Sequence, residues 1–94
     1  MPYIDDDLRN GVDKEIEALA ESIRAANRNV STLDGILNYT VCRLLTLLYP
    51  DESYFNYNRQ VGALECIKLE LYRRRIAKYE EVKIASNGDL PGWK

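Results

Sequence analysis

The chain has 94 residues, 46% hydrophobic and 30% charged, with 13 basic against 15 acidic side chains, a net charge of −2 and no histidine. These values describe one folded domain and exclude a disordered tail, a polyanion-coating protein, metal sites of the Cys/His kind and histidine-based acid or nucleophile relays. A domain of this size buries only about 60–65% of the surface of its unfolded chain, so a lone copy is marginally stable and a homo-oligomer is expected.

The first residues, Met1 to Asp7, are polar and acidic, without the basic start and apolar stretch of a secretory leader. Apolar runs fall far short of the ~20 residues that a bilayer span needs. The expectation is a cytoplasmic protein that does not contact a membrane. Cys42 and Cys66 sit inside separate predicted helices and read as free thiols.

In chain order, Asn10-Gly11 is a turn signal, so residues 1–12 read as an N-terminal arm. Asp13 is a simple N-cap, and Ile16, Leu19, Ala20, Ile23 and Ala26 form an apolar stripe that predicts helix one over Asp13 to Ala26. Ser31-Thr32-Leu33-Asp34 matches an N-terminal capping signal for a second helix, running to about Tyr49 before Pro50. Its apolar positions imply burial on more than one face. Pro50 to Ser53 reads as a loop, and the aromatic, turn-rich Tyr54 to Asn58 leads into helix three.

Helix three is predicted from about Asn58 to Ala85, with Asn87-Gly88 closing it and residues 87–94 as a frayed tail. Together these elements predict an all-α fold and a single helical domain over residues 1–94. It is a three-helix bundle with a long C-terminal helix, in which helices two and three form an antiparallel hairpin.

On an unbroken helical wheel, Glu65 falls among the apolar residues of helix three. A buried carboxylate needs a cation, and Arg43 on helix two is the expected structural ion-pair partner. A role for Glu65 as a functional acid, and exposure of Glu65 at an oligomer interface, are the alternative readings.

Between Cys66 and Lys83 six basic residues face three acidic ones. This local excess makes Arg73, Arg74 and Lys78, with Tyr72 and Tyr79 as stacking groups, the candidate ligand-binding set for a phosphate-bearing, nucleotide-like small molecule. A solvated face with ion pairs such as Glu70 to Arg74 is the plainer account. Nucleic acid is an unexpected partner for a mildly acidic chain. Tyr54, Phe55, Tyr57 and Trp93 form the candidate partner-binding set, suited to a host protein.

No catalytic constellation, metal-ligand set or nucleotide-binding glycine loop is present in the sequence, so neither an enzyme nor a cofactor is expected. Asp5, Asp6 and Asp7 read as a solvated acidic run.

The segments Met1-Pro2-Tyr3-Ile4-Asp5-Asp6, Leu37-Asn38-Tyr39 with Arg43-Leu44-Leu45, and Gly62 to Tyr79 followed by Glu80 and Asn87-Gly88-Asp89, resemble a small uncharacterised family of bacteriophage and bacterial proteins. The resemblance implies a phage-type accessory protein in the host cytoplasm and transfers no activity. By analogy of size and class alone, compact phage proteins include helical oligomers that sequester host nucleotide signals, a counter-defence role. The functional expectation is a non-enzymatic oligomer that captures a phosphate-bearing small molecule. Its competitor is an adaptor or inhibitor that contacts a host protein.

Overall fold

Helix α1 (Asp6–Ala26) starts seven residues before the sequence expectation, in the computed structural model, which describes residues 2–93. The N-cap is Asp5, whose side chain accepts from the Leu8 N–H at 3.1 Å, and Asp6 and Asp7 supply the acidic first turn that the helix dipole favours. Most of the expected N-terminal arm is therefore helix. Asn10-Gly11 misled because a mid-helix glycine costs only about 1 kcal/mol against alanine. The Leu8, Val12, Ile16 pattern carries the amphipathic face through it.

Helix α2 (Val30–Leu48) is capped by Asn29, not by the Ser31 signal. Asn29 Oδ1 accepts from the Thr32 N–H at 3.0 Å, and the Thr32 hydroxyl accepts from the Asn29 N–H at 2.9 Å, a reciprocal capping box. The same hydroxyl also accepts from the Arg28 N–H and donates to Asn27 Oδ1 at 2.7 Å, which ties down the connection between α1 and α2. Asn29→Ala should cost about 1 kcal/mol, read as a lowered melting temperature by circular dichroism. An unchanged melt would mean that this cap contributes nothing.

Pro50 stops α2. Helix α3 (Tyr54–Leu71) then begins four residues earlier than expected, since Ser53 Oγ accepts from the Asn56 N–H at 3.0 Å and the Asn56 side chain donates to the Asp51 carbonyl. A π-helical turn (Tyr72–Ile76) follows without a break, and α4 (Ala77–Asn87) continues the same long C-terminal helix. Gly88, at φ 90°, ends α4 with its N–H on the Ile84 carbonyl. The fold is all-α, with no strand among the described residues.

The chain separates into two compact units. One, residues 3–57, holds α1, α2 and the start of α3; in it α1 and α2 touch, and half-buried Ala20, Ile23, Thr32 and Ile36 flank their connection. The other, residues 58–93 with Pro2, holds the rest of α3, the π turn and α4.

None of the described residues is buried. The chain exposes 8570 Å². No helix of the described residues is long and apolar enough to cross a membrane.

Candidate functional site

The arginines lie on a π turn, in which the Ala77 N–H bonds the Tyr72 carbonyl, five residues back. Arg74 and Arg75, four residues beyond Glu70 and Leu71, line one concavity of about 620 Å³. Its floor is apolar and partly small: Gly62, Ala63 and Cys66, with Ile67 and Leu71, successive i, i+4 positions of α3. Glu70 completes the rim, and Pro2 also lines the space.

Arg73 is directed elsewhere: its guanidinium pairs with Glu70 at 2.5 Å, an i, i+3 pair in which the Glu70 side chain is 24% exposed. Two arginines and an apolar lining in one concavity, with Glu70 at its rim in contact with Arg73, suit an anion with a flat apolar portion.

Of the expected ligand-binding set, Arg74 alone lies in this concavity. Tyr72 lines a second one of about 440 Å³, opposite Leu90 and Trp93, with Lys83, Glu80 and Asp89 among its polar residues. Tyr79 stands 5.5 Å from the Lys83 ammonium in a cation–π contact, and Lys78 is an exposed residue of α4. The chain beyond Gly88 folds back rather than fraying: Gly92 takes φ 83° and the Trp93 N–H bonds the Leu90 carbonyl at 3.1 Å.

The Glu65 side chain is 54% exposed and pairs with Lys68 on its own helix at 3.5 Å, and Arg43 is an exposed residue of α2, in the other unit. Tyr54, Phe55 and Tyr57 lie exposed on the first turn of α3, in the unit that does not contain Trp93. Asp5 caps α1, and among the described residues no three acidic or cysteine side chains gather as a metal site. Both thiols are free and exposed.

Sequence reasoning missed Arg75 and the floor of the concavity. The small residues Gly62, Ala63 and Cys66 at helical spacing were the available signal; the π turn had none.

A family model described as a domain of unknown function (DUF6899) matches residues 1–90, and the chain belongs to that family. No curated protein and no solved structure matches it.

Proposed function

We propose that this DUF6899 member is a non-enzymatic binding protein that works as a homo-oligomer and captures a phosphate-bearing, nucleotide-like small molecule at the Arg74/Arg75 concavity. The observation that carries the reading is the single concavity that Arg74 and Arg75 line together with the apolar Ala63, Ile67 and Leu71. Guanidinium forks match phosphate oxygens bidentately, and the Ala63, Ile67 and Leu71 surface accepts the face of a base.

That none of the described residues is buried supports the oligomeric half, because apolar burial is what offsets conformational entropy. On association the bundle closes, with α2 and α3 as an antiparallel hairpin and α1 across it. The setting that fits the sequence resemblance is a phage-type accessory protein acting in the host cytoplasm, with counter-defence as its purpose.

Titration with adenosine monophosphate, adenosine and inorganic phosphate, followed by thermal shift, tests the ligand. Stabilisation by the monophosphate and not by adenosine is expected; no shift with any phosphate compound rejects capture.

A second reading rests on Tyr54 and Phe55, 82% and 69% exposed, and on Trp93, 73% exposed. Exposed aromatics of this kind anchor protein interfaces, which favours an adaptor or inhibitor of a host protein. Reversing the arginine charges should leave such a contact intact.

A further inference from the structure

Helix α2 carries only two charged residues, Asp34 and Arg43, against nine in α1 of similar length. Charge depletion of this degree marks the centre of a permanent interface rather than a solvated surface. Leu33, Leu37, Leu44 and Leu48 nonetheless stand 40%, 56%, 42% and 69% exposed. At 100° per residue these four leucines fall within one narrow sector of α2, with half-buried Ile36 on one flank and Val41 and Leu45 on the other.

The stripe is symmetric along the chain. Counting from a midpoint between Thr40 and Val41, Leu37 mirrors Leu44, Ile36 mirrors Leu45 and Leu33 mirrors Leu48. Two copies related by a two-fold axis at that midpoint, with their α2 helices antiparallel, would set Leu37 against the other copy's Leu44 and Leu33 against its Leu48. An isologous interface requires this self-complementarity. The smaller Thr40 and Val41 at the midpoint let the helices approach closely.

We infer that the α2 leucine stripe is the self-association face and that a second copy of α2, antiparallel, occupies it. The inference rests on the oligomeric half of the proposed function and names its surface. The test combines mass measurement with a crosslink. Wild-type protein should sediment as a multiple of 10.9 kDa, and Leu37→Glu with Leu44→Glu should sediment as the single chain.

In a Cys42→Ser, Cys66→Ser background, Thr40→Cys should link two copies through a short bismaleimide. Leu33→Cys should not, because its two positions lie about 20 Å apart along the axis. A wild-type monomer overturns both this inference and the oligomeric reading. An oligomer whose mass survives the double leucine substitution, or links equally through Leu33→Cys, overturns this inference alone. If the glutamate variant does not fold, the crosslinking contrast decides the question.

Gly35→Ala serves as the control on the opposite side of α2. A Cβ there meets nothing within 4 Å, so the change should raise the melting temperature, with about 1 kcal/mol of added stability, and leave the assembled mass unchanged. A lowered melt or a changed mass would place Gly35 in a contact.

Discussion

The melting temperature of this protein is expected to fall as its concentration is lowered. None of the described residues is buried, so under the oligomeric reading the cooperative transition belongs to the assembly. Each tenfold dilution removes about 1.4 kcal/mol per association step. Spread over the unfolding entropy of chains of 94 residues, this lowers the melt by roughly 3–6 °C per tenfold dilution, the larger value for higher oligomers.

Circular dichroism from micromolar to tens of nanomolar protein would follow the change, with helicity lost at the dilute end. Most helical stability in proteins comes from packing an amphipathic face, so helices that lose their partners on dilution lose helicity. A melt that stays cooperative and stationary across that range would mean that the single chain closes a core by itself, and the oligomeric reading would fail.

Periodicity and punctuation made the helices legible. Pro50 and Gly88 stop helices where the sequence said they would, and the three-residue and four-residue spacings identified the apolar faces. The starts were misread for two different reasons. For α1 the Asn10-Gly11 turn signal hid a helix that begins at the Asp5 cap, eight residues before Asp13. For α2, neighbouring Asn29 and Ser31 compete for the same first turn, and the extended backbone of Asn29 aims its side-chain oxygen at the Thr32 N–H.

The concavity is built on ordinary helix spacing: Gly62, Cys66, Glu70 and Arg74 form one i, i+4 row and Ala63, Ile67, Leu71 and Arg75 the next. Reasoning from local charge excess named Arg74 and left out Arg75, because it did not ask which residues lie four positions back. Arg73 reaches Glu70 at i, i+3. For Glu65 a wheel shows which residues share a side and says nothing of whether anything covers that side.

Reversing Arg74 and Arg75 together should abolish capture of a phosphate-bearing ligand while the protein keeps its assembled mass. A charge-assisted hydrogen bond to phosphate contributes about 1.5–3 kcal/mol, so losing one guanidinium weakens binding roughly 10- to 150-fold. Arg74→Glu with Arg75→Glu replaces two attractions by two repulsions above an apolar floor, and no binding should be detected by calorimetry at millimolar ligand.

Arg73→Gln is the discriminating control. Its partner is Glu70, in a pair whose arginine is 65% exposed, so the expected cost is under about 1 kcal/mol of stability with ligand affinity nearly unchanged. Lys78→Gln, on the exposed surface of α4, should likewise leave affinity unchanged. Loss of binding in Arg73→Gln or Lys78→Gln, with retention in the Arg74 and Arg75 double variant, would return the site to the surface ridge that sequence spacing alone predicts and remove the concavity from the mechanism. Equal affinity in all three variants would leave no phosphate site on this helix and favour a protein contact through the exposed aromatics.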